Sequence, residues 1–169
     1  DSLHITGIDQ ARSWAAGAIA REAPVLLVTA TGHEAEDLSA ELKAMLGDDH
    51  VAQFPAYETL PHERLSPAAD IVGRRAKVLW EMPRVIVAAA RAVCQPVLPA
   101  TEPIRVAVDQ EQDFEELTEQ LVHFAYNHVD MVAGRGEFAT RGGIIDVFPT
   151  TADNPVRIEF WGDEVTDIR

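Results

Sequence analysis

Two adjacent glycines, Gly142 and Gly143, sit between the short runs Glu137–Arg141 and Ile144–Phe148, and they restrict what the end of this chain can become. A two-residue connection needs positive φ, which glycine supplies without steric cost, so the two runs are expected to pair as a β-hairpin. Pro149 to Pro155 is turn chemistry rich in Thr, Asp, Asn and Pro, and Val156–Trp161 then runs out as a third strand. Period-two alternation puts Val156, Ile158 and Phe160 on one face of that strand and Arg157, Glu159 and Trp161 on the other. The first face belongs to a core. The second, if open to water, presents an indole and a guanidinium on either side of a carboxylate, and Trp and Arg are enriched at binding hot spots. The competing reading is structural: Arg157 pairs with Glu159 or Asp163, and Trp161 covers a core edge.

The rest of the chain alternates differently. The apolar run Pro24–Ala30 reads as a strand and Glu34–Leu46 as a helix with Leu38, Leu42, Met45 and Leu46 at helical intervals, stopped by Gly47. Val51–Phe54 is a further strand, Ala69–Trp80 a helix with Ile71, Val78 and Leu79 as core positions, and Arg84–Ala90 the third strand. Strands alternating with helices imply right-handed crossovers into a parallel sheet covered on both faces. Pro and Thr at Ala100–Pro103 mark a junction. Beyond it, Ile104–Val108 alternates like a strand, and Phe114, Leu117, Leu121 and Phe124 line one face of a helix. The expected fold class is therefore α/β, with a helicase-like parallel α/β domain over residues 1–99. A small α+β domain with an antiparallel sheet follows over 100–169.

Composition narrows function. Fourteen basic against twenty-eight acidic residues leave a net charge of -14, a field that repels nucleic-acid backbones and anionic lipid. No apolar run approaches the roughly 20 residues needed to span a bilayer, and no secretory signal opens the chain, so a cytoplasmic setting is expected. Cys94 is the only cysteine, read as a small buried hydrophobe, and the histidines lack a ligand spacing, so no metal is expected. Arg74, Arg75 and Lys77 form a basic cluster on the polar face of their helix, either simply solvated or available to phosphate or an acidic partner. Arg-Gly-Gly at 141–143 suits a turn better than RNA.

Near the start, Asp9 is a candidate N-cap for a helix carrying Trp14 and Ile19 at helical spacing. Set against G-x-x-x-x-G-K-[ST], the window at 6–13 keeps Ser13 but has Thr6 and Ala11 for the two glycines and Arg12 for lysine, with Gly7 beside the first position. The lost glycines put β-carbons where bare backbone must wrap phosphate, and Asp9 adds negative charge. The window reads as a degenerate phosphate loop or as an ordinary capped helix. Both predict weak or absent ATP binding. No acidic residue ends an apolar strand where a magnesium ligand would be needed, since Val85–Ala90 runs into Ala and Arg.

Several spaced motifs carry a resemblance: His128-Val129-Asp130, Gly136-Glu137-Phe138-Ala139-Thr140-Arg141-Gly142, Asp146-Val147-Phe148-Pro149 and Pro155-Val156-Arg157-Ile158-Glu159-Phe160-Trp161-Gly162-Asp163-Glu164. In this order they resemble the UvrB-like N-terminal module of the bacterial transcription-repair coupling factor (Mfd) family. The stretch Tyr57–Pro67 resembles the same family, and lacks the aromatic-rich insertion with which UvrB probes damaged DNA. The resemblance implies a non-enzymatic piece, without a cofactor of its own, that recruits UvrA in nucleotide excision repair after displacement of a stalled RNA polymerase. The family's partner-contacting positions fall on Arg141, Arg157 and Trp161. It further implies that ATP, magnesium, DNA and RNA polymerase are handled by other domains of a longer DNA translocase, and that the chain is a fragment. The alternative is a nucleotide-dependent DNA-binding half-domain of a helicase or UvrB-like excision protein.

Overall fold

The computed structural model describes residues 6–7, 11–59, 66–97, 99 and 101–169, and the chain divides into two compact units. The first comprises residues 1–67 and 74–100, and the second residues 68–73 and 101–169. Asp9 and most of the loop between Tyr57 and Pro67 lie outside the described residues.

In the first unit, α1 (Arg12–Ala20) precedes β1 (Val25–Thr29), α2 (Gly32–Leu46), β2 (Val51–Phe54), the part of α3 (Ala69–Glu81) from residue 74 on, β3 (Val85–Ala89) and the single turn α4 (Ala90–Val93). The strands form a parallel sheet in the order β1-β3-β2, with Val25 opposite Val85 and Val51 opposite Val85 on its other side. Thr31 caps α2 by accepting from the Glu34 amide at 3.2 Å, and Gly47 ends it at φ 94°. One face of the sheet packs Val51, Val85 and Val87 against Leu38 and Leu42 of α2 and Ala16 and Ala20 of α1. The other packs Ala88 and Phe54 against Val78 of α3 and Ala92 of α4.

Several expectations need correction. The expected cover on both faces is incomplete, because Leu26 and Val28 on β1 are 56% and 48% exposed. In α1, where no inward side was assigned from the sequence, Trp14 and Ile19 face solvent and the helix turns its small side, Ser13, Ala16, Gly17 and Ala20, inward. A β-carbon at Gly17 would stand 3.3 Å from the Met45 methyl group, so the close approach of α1 to α2 selects small residues over large apolar ones. The N-cap position is Ala11, without a side-chain cap, rather than Asp9. Cys94 is exposed, since α4 buries Ala92 and stops there.

Arg75 departs furthest from its expected place on a solvated face. It is only 2% exposed, with its guanidinium carbon 4.1 Å from both the Phe54 and Tyr57 ring centroids. It donates to the carbonyls of Pro55 at 2.7 Å and Pro96 at 3.1 Å. Stacking between aromatic faces suits a planar, weakly hydrated cation, and the carbonyls of two irregular segments consume its N–H groups.

The second unit holds α5 (Phe114–His123), β4 (Asn127–His128), β5 (Glu137–Arg141), β6 (Ile144–Phe148), β7 (Val156–Trp161) and β8 (Glu164–Ile168). The sheet order is β4-β5-β6-β7-β8, antiparallel except for the parallel pair β4–β5. Leu117 and Leu121 of α5 pack on Phe138, Ile145, Val147, Ile158, Phe160 and Val165, with Phe114 edge-on to Phe160 at 5.3 Å. Phe124 does not continue that face; it is the C-cap, its backbone already out of helical geometry, and is partly exposed. Residues 104–108 form no strand. Their alternation is real in packing, since Ile104 and Val106 reach the core, but main-chain pairing comes slightly later, where Asp109 and Gln112 donate to the carbonyls of Val165 and Asp163.

Candidate functional site

The β5–β6 hairpin and β7 fall where the alternation and turn residues place them, and their register decides which side chains share a face. Facing residues of an antiparallel ladder point to the same side. Ala139, Asp146 and Arg157 lie opposite one another in β5, β6 and β7, and Arg141, Ile144 and Glu159 do the same one pleat along. Arg141, Arg157 and Trp161 therefore project from the sheet face opposite α5, whereas Phe138, Ile145 and Ile158 point into the core. Strand spacing and rise put Arg157 roughly 13 Å from Trp161 and Arg141 roughly 12 Å from Arg157 at backbone level. β8 carries the irregularity opposite Glu159 and Phe160, so β7 keeps Arg157 and Trp161 on one side.

Gly142 alone takes a positive φ, at 59°, in the β5–β6 turn. Gly143 serves a different purpose. A β-carbon there would stand 2.8 Å from the Phe160 carbonyl oxygen, and the Gly143 carbonyl accepts from the Phe160 amide at 2.8 Å. This glycine lets the hairpin end close onto β7.

Each predicted residue has a definite environment. Trp161 is 83% exposed and covers no core edge. Arg157 pairs with neither Glu159 nor Asp163: its Nε and Nη2 donate to Asp146 Oδ1 and Oδ2 at 2.6 and 2.8 Å. The Arg157 hydrogen bond holds the Asp146 carboxyl below the usual aspartate range, against a smaller opposing effect of burial. Glu159 and Asp167 are taken by Arg169. Arg141 donates through Nη2 to the Asp130 carbonyl at 2.7 Å, and no carboxylate among the described residues forms an ion pair with it. Beside these groups lies a cleft of about 420 Å³ whose lining includes Arg141, Asp146, Arg157 and Arg169 together with Met131, Val132 and Pro155.

Sequence reasoning singled out neither Asp146 nor Met131. Asp146 was legible in principle, since a lone carboxylate in an otherwise apolar strand is paired or functional. Met131 was not, because its exposure depends on the path of the loop before β5. The loop itself is ordered by Glu137, whose Oε2 accepts from the Ala133 and Gly134 amides, both at 2.8 Å. Those amides hold the Glu137 carboxyl below its usual range. Arg135 fixes the β6–β7 turn through the Ala152 carbonyl and Asp153 at 2.8 and 3.1 Å.

In the window at 6–13, Arg12 is ion-paired with Glu34 and Ser13 is buried in α1. The Arg12 hydrogen bond and the Ala30 amide keep the Glu34 carboxyl below its ordinary value. Thr6 and Gly7 are exposed, and Gly7 has φ 76°. The residue in the lysine position thus carries its charge against a carboxylate of this chain. Among the described residues, no helix is long and apolar enough to cross a membrane.

Residues 104–169 match the model of the UvrB interaction domain. A transcription-repair-coupling factor of Mycobacterium tuberculosis is 46% identical over 183 aligned residues, covering all of this chain and 15% of that protein. The chain belongs to the transcription-repair coupling factor family. The Bacillus subtilis member is 34% identical over 94% of this chain and the Escherichia coli member 30% identical over 86% of it. The chain spans 14% and 13% of those two proteins. The domain match covers α5 and the whole five-stranded sheet, including the exposed face described above.

Proposed function

We propose that this chain is a docking module that recruits UvrA to sites of transcription-coupled nucleotide excision repair, with Arg141, Arg157 and Trp161 as its contact residues. The observation that carries the reading is the exposed indole of Trp161 on the same sheet face as Arg141 and Arg157, opposite the helix-packed core. A Trp left this open costs nothing to the core and is available as an anchor, and aromatic and arginine anchors dominate interface energetics. Motor activity, ATP with magnesium, and the contacts with DNA and RNA polymerase belong to other parts of the full-length protein in this reading. The setting is cytoplasmic.

The module itself is without ATPase activity or cofactor. Arg12 is occupied by Glu34 and Ser13 is buried, an arrangement that favours this over a nucleotide-dependent half-domain. The deciding experiment is binding of the chain to purified UvrA, as wild type and as Arg157→Ala and Trp161→Ala, with folding checked by circular dichroism. Binding by the wild type and its loss in folded variants is the expected result. No wild-type binding, or equal binding by the variants, overturns the assignment of both residues as contacts. Titration with a fluorescent ATP analogue should give no saturable signal.

A further inference from the structure

The two arginines of this face are not chemically equivalent. Arg157 is held side-on by Asp146, which takes Nε and one N–H of Nη2 at 2.6 and 2.8 Å and offsets its charge. Nη1 and the second N–H of Nη2 are left as a fork on a partly exposed side chain, in a plane that the Asp146 pair defines. Arg141 makes its hydrogen bond to a neutral group, the Asp130 carbonyl at 2.7 Å, and meets the Asp146 carboxylate only through space, without a hydrogen bond to it. Both line the same cleft. A partner carboxylate brought to the Arg157 fork would also approach Asp146 and be repelled by it, whereas no such pairing opposes a carboxylate at Arg141.

Resting on the docking function proposed above, we infer that the two arginines divide recognition between them: Arg141 reads a carboxylate of the partner by charge, and Arg157, fixed by Asp146, reads neutral carbonyl oxygens by geometry. Asp146 is then a positioning residue. It pre-orders a long side chain that would otherwise lose rotamer freedom on binding, and sets the angle at which the fork meets the partner.

Lysine replacement separates the two roles, because lysine keeps charge and loses the planar fork. Binding of the 169-residue chain to UvrA is measured by titration calorimetry at about 0.05 and about 0.5 M salt, between which screening changes several-fold. Arg141→Lys is expected to stay within about threefold of wild type while Arg141→Ala loses both affinity and most of the salt dependence. Arg157→Lys is expected to lose about tenfold or more, as Arg157→Ala does, with the wild-type salt dependence retained. Equal rescue by lysine at both positions, or a flattened salt dependence in Arg157→Ala, overturns the division of roles while leaving the docking function intact. Indifference of binding to alanine at 141, 157 and 161 overturns both. If the Arg157 variants do not fold, Asp146→Asn carries the test: with the charge of Arg157 no longer offset, binding should become more salt-sensitive than wild type, and unchanged or lower sensitivity overturns the inference.

Discussion

Asp146 and Arg157 face each other across β6 and β7 and are joined by two hydrogen bonds of 2.6 and 2.8 Å on the solvent side of the sheet. The pair ties the middle strand of the second unit to the strand that presents Trp161. It also gives the unit an acid-sensitive link. The hydrogen bond from Arg157 puts the folded-state pKa of Asp146 below its unfolded value, so its contribution to stability is present at neutral pH, above the unfolded pKa. That contribution falls away as pH drops through the ordinary aspartate range, about 4, towards the lowered folded value. Urea denaturation of wild type and Asp146→Asn should show a stability difference at pH 7 that narrows by pH 3.

Trp161 should be nearly silent in folding. Being 83% exposed, its replacement by alanine should change unfolding free energy by no more than about 0.5 kcal/mol. The same change should cost about 2 kcal/mol or more in UvrA binding. Parallel denaturation and binding measurements on one preparation check both, and a large loss of stability would mark Trp161 as structural.

Arg75 should behave in the opposite way. Its guanidinium is buried between Phe54 and Tyr57 and satisfies the carbonyls of Pro55 and Pro96. Arg75→Ala removes the donors and the stacked plane together, and should cost about 3 kcal/mol, read as a lowered urea midpoint of the first unit. Lys77, whose exposed partner Glu81 lies 3.8 Å away, should cost about 0.5 kcal/mol or less on the same change.

Gly143→Ala places a methyl group 2.8 Å from the Phe160 carbonyl oxygen, at a backbone contact that cannot yield without loosening β7. A loss of about 1–3 kcal/mol is expected, the usual cost of overpacking. Amide exchange should quicken at Phe160, whose amide is bonded to the Gly143 carbonyl.

Local chemistry alone determined β1, β2, β3, β5, β6 and β7, the α2 and α3 helices and the inward set Val156, Ile158 and Phe160, because periodicity, caps and glycine turns are decided within a few residues of the chain. The same locality placed Arg157 and Trp161 on one side of β7. Only the tertiary structure decided their partners. Asp146 lies 11 positions from Arg157 and becomes its neighbour through the β6–β7 register, while Glu159, adjacent in the ladder of choices read from sequence, is taken by Arg169. Arg75 passed for a solvated charge because helical spacing reports the angle of a side chain and not what a distant segment lays over it. Phe54, Tyr57 and Pro96 converge on it from other parts of the first unit. In α1 apolar size does not decide burial: Trp14 and Ile19 are exposed because the distance to α2 admits only small residues, and interhelical distance is a property of the packed pair.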